Sequence, residues 1–128
     1  TADDIVFTIK TIQNPEYKSP LRADWQGVLA EKIDSHTVKL SLKQPYAPFF
    51  ENATLHIIPK HVWEKIPPSS VPISELNLRP VGSGKFVFYD VVAEGDIIKS
   101  YTLKANKNYY KQIPYLSAIE FYFYLCGI

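Results

Sequence analysis

A proline-rich stretch divides this sequence into two parts of different character. Residues 66–80, IPPSSVPISELNLRP, contain four of the ten prolines in the 128-residue chain. Proline fixes φ and lacks an N–H donor, so neither a long helix nor a central strand can run through this stretch. We predict an extended connector with one helical turn at Ser74–Leu78. The fold class predicted for the whole chain is α+β, with helices and a hairpin before the connector and strands after it.

The first part opens with the pattern of a helix N-terminus. Thr1–Asp4 places a carboxylate three residues after a side-chain acceptor, as in a capping box. Asn14-Pro15 is expected to end the helix, because the residue before proline disfavours helical φ and ψ. Between these signals, apolar residues recur at helical spacing: Ala2, Ile5, Val6, Ile9 and Ile12.

A hairpin is predicted next, after a loop over residues 17–26. Apolar and polar residues alternate from Val38 to Lys43, the period of a half-buried strand. Residues 28–33 supply the partner strand, and Asp34-Ser35 supplies the turn between them. Three short elements follow the hairpin and precede the connector: a helix over 46–52, a strand over 54–58, and a helix within 59–66.

The second part is predicted to be mainly strands. KFVFYDVV (85–92) and IIKSYTLKA (97–105) flank Glu94-Gly95-Asp96, which is typical of a hairpin loop. SAIEFYFYL (117–125) is apolar nearly throughout, so we predict a third strand that is buried on both faces.

The charge balance argues against a nucleic-acid or membrane-surface protein. The chain carries 14 basic and 13 acidic side chains, with no block of like charge. Tyr109, Tyr110 and Tyr115 could stack on single-stranded nucleic acid, but the basic excess that such binding requires is missing. No apolar run approaches the roughly 20 residues of a membrane span. The single cysteine, Cys126, follows an apolar run and is expected to be an inert packing residue.

Two glycines beside a lysine, in PVGSGKFVF (80–88), raise the question of a phosphate-binding loop. Such a loop needs glycine five positions before Gly84 and a hydroxyl after Lys85, between a strand and a helix. This chain has Arg79 and Phe86 there, and a predicted strand follows. We therefore predict that Gly82 and Gly84 are structural, allowing positive φ and an abrupt turn into the strand.

Several motifs, taken in order, resemble one family. TADDIVFTI, SPLRADWQGV, HTVKLSLKQPYAPFF, PKHVWE, LNLRPVGSGKFVF and NKNYYKQIPYLSAIEFYFY together resemble the family 5 extracellular solute-binding proteins. These are the dipeptide- and oligopeptide-binding components of bacterial ABC importers. The family usually has proline where this chain has Lys85. Family members are several times longer, and this chain has no methionine even at position 1, so we expect a piece of a longer protein.

The resemblance implies a fragment of the first lobe of a two-lobed, type II-like periplasmic binding protein. Residues 1–80 would form a small helix-and-hairpin subdomain, and 81–128 would enter the main sheet of that lobe, with Gly82 and Gly84 at the junction. The implied function is capture rather than catalysis, with no cofactor. The implied partners are a peptide or small solute, an ABC permease in the membrane and the rest of the parent chain, but no nucleic acid. The protein would be exported to the periplasm or cell surface, its signal peptide outside this fragment.

Four residues are candidates for contact with a solute. Tyr17 and Trp25 flank the 17–26 loop and could stack on an extended ligand, although scattered aromatics are mostly core residues. His56 could meet a carboxylate, with Leu55 on the opposite face of the predicted strand, although a partly exposed structural imidazole is the commoner case. His36 and His61 complete no ligand set with His56, so no metal site is predicted.

Two other classes of function were weighed. An enzyme has little support, because Glu51 and Glu64 are isolated carboxylates and the connector serines at 69, 70 and 74 have no base at a suggestive spacing. The alternative to a solute-binding protein is a free-standing interaction domain that pairs its third strand, or exposed aromatics, with another protein.

Overall fold

The computed structural model describes residues 1–124. These residues form two compact units, which divide between Ile73 and Ser74. Cys126 and the last residue of the predicted third strand lie outside the described residues. Within residues 1–124, the longest helix has 12 residues, and none has the length and apolar character to cross a bilayer.

Helix α1 (Ala2–Gln13) confirms the predicted capping box and the predicted end at Asn14. The Asp4 carboxylate accepts hydrogen bonds from the Thr1 nitrogen at 2.7 Å and from the Thr1 hydroxyl at 2.6 Å. The helix buries one stripe of its surface, which includes Ile9 and Ile12, as its apolar spacing requires.

The hairpin is also confirmed. Strands β1 (Leu29–Lys32) and β2 (Val38–Ser41) pair antiparallel, with Leu29 opposite Ser41. Asp34 closes the turn, because its Oδ1 accepts from the backbone N–H of His36 at 2.7 Å and of Thr37 at 2.8 Å. A short helix α2 (Arg22–Trp25) precedes the hairpin, following a 3₁₀ turn at Pro15–Tyr17.

A single apolar cluster holds the first unit together. Ile9 and Ile12 of α1 meet Trp25 of α2 and Val28, and all four are buried. Half-buried apolar residues surround this cluster: Ile5, Ala30, Leu40, Phe49 and Leu55.

The two short helices after the hairpin are present, but the predicted strand between them is wrong. Helix α3 (Phe49–Asn52) starts three residues later than predicted, because the residue before Pro48 disfavours helical geometry. Helix α4 (Lys60–Trp63) lies within its predicted range. Residues 54–58 are irregular rather than a strand: no strand among residues 1–124 pairs with them, and the Ile58 N–H is bonded to the Thr8 side chain of α1. Leu55 and Ile58 are half-buried, so the predicted alternation of faces is also wrong.

The connector is more helical than predicted. Pro68–Ile73 forms a 3₁₀ helix that begins at Pro68, where no N–H is needed, and includes Pro72 in its interior. The turn predicted at 74–78 is present as a 3₁₀ turn at Glu75–Asn77, and the Ser74 hydroxyl oxygen accepts from the Leu76 N–H.

The second unit is a three-stranded antiparallel sheet in the order β3-β4-β5. The strands are β3 (Phe86–Glu94), β4 (Ile97–Ala105) and β5 (Ala118–Tyr122). Gly95 takes φ +60° in the β3–β4 loop, a conformation that favours glycine and confirms the predicted hairpin. The prediction that the third strand is buried on both faces is wrong: β5 is an edge strand, and Phe121 and Tyr122 are 47% and 60% exposed.

The conformational account of Gly82 and Gly84 is wrong as well. Neither has a positive φ, and a Cβ at Gly82 would meet nothing within 4 Å. The turn is fixed from outside, because Asn106 donates from Nδ2 to the Gly84 oxygen at 2.9 Å and from its backbone N–H to the Lys85 oxygen at 2.8 Å. A strand follows the glycines, as predicted, so no helix N-terminus is available for a phosphate.

The cap of α1 predicts a pH-dependent stability. The pKa of Asp4 is lowered, first by the hydrogen bond from the Thr1 nitrogen, then by those from the Thr1 hydroxyl and the Lys60 amide. A lowered pKa stabilises the fold above the usual aspartate value of about 3.9, and this contribution is lost as the pH falls further. Asp4→Asn should therefore lower the free energy of unfolding by about 1 kcal/mol at pH 7, and by less at pH 2.5.

Chemical denaturation at the two pH values measures this difference. Asp24→Asn is the matched control, since Asp24 forms no ion pair within residues 1–124. An equal effect of Asp4→Asn at both pH values would contradict the assignment.

Candidate ligand-binding pocket

Three of the four predicted contact residues line one pocket in the first unit. Trp25, Leu55 and His56 border a cavity of about 260 Å³. Five further residues complete its lining: Leu21, Asp24, Glu51, Asn52 and Thr54. A site of this size suits one side chain or one end of a larger solute rather than a whole peptide.

The first wall is helix α2, which is fastened to the end of α1 through Gln13. Gln13 Nε2 donates to the backbone oxygens of Trp25 and Val28, both at 2.7 Å. In return, the Gln13 oxygen accepts from Arg22 Nε at 3.0 Å. These bonds satisfy carbonyls at the end of a helix only four residues long, which could not hold its position alone.

Trp25 lies beneath the pocket and exposes very little surface to it. The side chain is only 2% exposed and packs in the apolar cluster with Ile9 and Ile12. Its ring meets Phe49 edge-on, with the ring centroids 5.4 Å apart. A solute in the pocket would therefore meet the border of the indole and not a free aromatic face.

The second wall runs from α3 to His56. The Phe49 contact places α3 against Trp25, and the Thr54 hydroxyl closes the end of α3 by donating to the Glu51 oxygen at 2.8 Å. Leu55 then turns inward to the apolar cluster, while His56 stays exposed. The wall thus offers one apolar and one titratable side chain to the pocket.

The charged groups of the pocket are two carboxylates. Asp24 and Glu51 lie on opposite walls, both exposed. Neither forms an ion pair within residues 1–124, and the lining contains no lysine or arginine. The lining therefore carries a formal charge of −2 when His56 is neutral, which favours a cationic group of a solute.

A second pocket, of about 290 Å³, shares Asp24 with the first. Its lining includes Lys43, so it brings a positive charge to the other side of α2. Lys43 also packs against Gly27, where φ is +86° and a Cβ would lie 3.5 Å from Lys43 Cε. With Asp24 and Lys43 in its lining, the second pocket has a formal charge of zero, whereas the first has −2.

The remaining predicted residues lie elsewhere. Tyr17 ends the 3₁₀ turn after α1, half-buried, and does not line the pocket. Gly82 and Gly84 belong to the second unit. His36 sits in the exposed hairpin turn, where Nδ1 lies 2.8 Å from the Ser35 hydroxyl. Within residues 1–124, no group of three histidine, cysteine or acidic side chains could hold a metal ion.

Sequence reasoning missed Asp24 and treated Glu51 as an isolated surface carboxylate. A local signal was present, because Asp24 precedes Trp25 and Glu51 follows two residues after Phe49. The carboxylates therefore flank the two aromatic rings that meet in the fold. The contact between Trp25 and Phe49 is tertiary, so the positions of Asp24 and Glu51 in the sequence do not predict a shared pocket until that contact is known.

Comparison with known proteins decides the family. The family described as bacterial extracellular solute-binding proteins, family 5 Middle, matches residues 1–125. The chain belongs to family 5 of the bacterial extracellular solute-binding proteins. The members of this family bind solutes and are not enzymes. The oligopeptide-binding protein AppA of Bacillus subtilis is 32% identical over 125 residues, covering 94% of the family 5 chain and 22% of AppA.

Solved structures agree with this assignment. The substrate-binding protein CtaP of Listeria monocytogenes matches 95% of the family 5 chain with a TM-score of 0.82 and 31% identity, over 25% of CtaP. AppA in complex with a nonapeptide matches 94% of the chain with a TM-score of 0.80 and 30% identity, over 24% of AppA. NikZ of Campylobacter jejuni, in complex with Ni(L-His), matches 93% with a TM-score of 0.78 and 25% identity, over 23% of NikZ.

The matched share of each relative is small. The family 5 chain spans about a fifth of the curated relative and a quarter of the solved structures. The chain is thus a mixed α+β segment of a much larger type of protein.

The edge-to-face contact between Trp25 and Phe49 should contribute to the stability of the two pocket walls. Phe49→Leu removes the aromatic contact with Trp25 while keeping most of the apolar volume. It should lower the free energy of unfolding by about 1 kcal/mol. Phe50→Leu is the matched control and should change it by less than about 0.5 kcal/mol, since Phe50 is 85% exposed. Denaturant titration compares them, and equal losses would show that the ring pair contributes nothing specific.

Proposed function

We propose that this chain is part of an extracytoplasmic binding protein that captures a peptide or a related small solute and delivers it to an ABC transporter permease. The family match over residues 1–125 is the observation that carries the proposal. Relatives named for oligopeptides and for Ni(L-His) support a solute range that includes peptides and small chelates. The proposed site of action is the periplasm or the cell surface, in keeping with the family's description as extracellular.

The proposed place of the chain is the first lobe of a two-lobed, type II-like binding protein. Residues 1–80 would form its small subdomain, and residues 81–128 would enter its main sheet, with Gly82 and Gly84 at the junction. The rest of the parent chain would supply the opposite lobe. A two-lobed clamp holds its solute from both sides, so this chain alone offers half of the contacts and should bind weakly.

The proposed solute contacts are those of the 260 Å³ pocket. His56 and Leu55 would touch the solute directly, and Trp25 would support them from below. Asp24 and Glu51 would attract a cationic group, such as a peptide amino terminus or a basic side chain, because their charges are uncompensated in the pocket. Tyr17 would contribute only if the solute extends past α2, since it lies outside the lining.

Solute binding by the full-length protein tests this proposal. His56→Ala should weaken binding of the solute that the protein captures by about tenfold, which corresponds to about 1.4 kcal/mol. The matched control is His61→Ala on α4, an exposed histidine that does not line the pocket. Calorimetry with di-, tri- and oligopeptide mixtures, followed by the single best peptide, gives the affinities.

The experiment separates failure of the pocket assignment from failure of the proposed function. Binding that is unaffected by His56→Ala would remove the pocket from the proposal but leave the transport function. No binding of any peptide or chelate by the full-length protein would remove the function itself.

A second candidate is an interaction domain, and the exposed edge of β5 favours it. Phe121, Tyr122, Phe123 and Tyr124 are all at least 47% exposed, next to a strand edge that pairs with no other strand of residues 1–124. Such an edge can accept a strand from another protein. On this alternative, light scattering should show a stable, specific oligomer of the 1–128 chain, which Phe121→Lys would dissociate. A monomer across the micromolar range would exclude self-pairing.

A further inference from the structure

The Thr8 hydroxyl links helix α1 to a segment fifty residues away. Thr8 is only 2% exposed. Its Oγ1 donates to the Asp4 oxygen at 2.7 Å and accepts from the backbone N–H of Ile58 at 3.1 Å. The first bond is common for threonine inside helices, whereas the second satisfies no need of the helix. The hydroxyl therefore gives its one hydrogen to the Asp4 carbonyl and uses a lone pair to hold the Ile58 N–H.

The segment that Thr8 holds has little other support. Residues 54–59 form no strand, and the N–H groups of Leu55, His56 and Ile57 donate to no protein group in the described part of the chain. The segment is fastened at two places. Before it, Phe49 of α3 meets Trp25; after it, the Lys60 N–H donates to Asp4 Oδ1 at 2.8 Å, beside the Thr8–Ile58 bond.

We propose that Thr8 is a positioning residue for the pocket. Its hydroxyl fixes Ile58 and thereby sets where Leu55 and His56 stand opposite Asp24. The Ile58 bond lies two residues from His56, between the packed Leu55 and the bonded Lys60, so its loss lets the His56 ring shift relative to Asp24. The consequence for solute binding rests on the proposed function; the positioning of the segment does not.

A purely structural role for Thr8 makes a different prediction. If Thr8 only satisfies a buried N–H, its loss lowers the stability of the whole unit, and amide exchange rises evenly throughout it. If Thr8 positions the segment, exchange rises locally at 54–60 and much less in the β1–β2 hairpin. Hydrogen exchange followed by mass spectrometry resolves these two regions without any solute.

The experiment compares Thr8→Val with Thr8→Ser in the full-length protein. Valine keeps the shape and removes the hydroxyl, and we expect exchange of the two bonded amides in this region, Ile58 and Lys60, to rise at least tenfold relative to the hairpin. Serine keeps the hydroxyl and should restore wild-type exchange. Ser100→Ala removes the other buried hydroxyl among residues 1–124, in the second unit, and should leave 54–60 unchanged. If Thr8→Val does not fold, Thr8→Ala takes its place with the same expectation.

An even rise of exchange in both regions, or faster exchange at 54–60 in Thr8→Ser, would overturn the positioning role. A second arm measures solute affinity. Thr8→Val should weaken it about tenfold, and in a His56→Ala background it should weaken it less than twofold further, because both changes act through the same side chain. Local loosening without any change in affinity would overturn the link to the pocket. Absence of any solute binding would overturn the proposed function and leave the exchange result standing.

Discussion

Helix α1 is the element on which the first unit depends. Its apolar stripe buries Ile9 and Ile12 against Trp25 and Val28, and each such side chain contributes about 1.5–3 kcal/mol on leaving water. The same helix also supplies polar groups to segments that have no partner strand. Gln13 binds the carbonyls of α2 and the hairpin entry, while Thr8 and Asp4 bind the N–H groups of Ile58 and Lys60.

Because α1 supplies both apolar packing and hydrogen-bonding side chains, the first unit can fold with little regular secondary structure. Apart from α1, its α-helices and strands have four residues each. Helices of that length are not stable alone, and an isolated two-stranded hairpin is marginal. Burying irregular backbone is costly unless its polar groups are paired. Side chains of α1 provide that pairing, so a single helix replaces the sheet that a larger unit would use.

The sequence predicted those elements whose signals are local. The capping box and the apolar spacing located α1, and Asp34 located the hairpin turn, because these interactions connect residues at most four positions apart. The strand predicted at 54–58 was wrong because a short apolar run suits a strand and an irregular segment equally. What decides between them is Thr8, fifty residues away. The burial predicted for β5 was wrong for a related reason: apolar composition shows what a strand can bury, not what lies against it.

The pocket shows the same limit. Trp25, Leu55 and His56 were named from residue type, and the structure brings them together, whereas Asp24 was not named at all. The turn at Gly82–Gly84 was explained by glycine geometry, but it is held by Asn106 from the end of β4. In each case the missing information is a contact between distant parts of the chain.

The two pocket walls also differ in how many hydrogen bonds hold them, and this difference affects the entropy cost of binding a solute. Helix α2 is fixed by two hydrogen bonds, between Gln13 and Trp25 and between Arg22 and Gln13, and a third joins Gln13 to Val28 just beyond it. The 54–59 segment packs through Leu55, but its hydrogen bonds lie near its ends, and the amides of Leu55 to Ile57 are unpaired within residues 1–124. Ordering a loose wall on binding costs conformational entropy, so a fully free segment would weaken capture. The bond at Ile58 reduces that cost, because it orders part of the segment before any solute arrives.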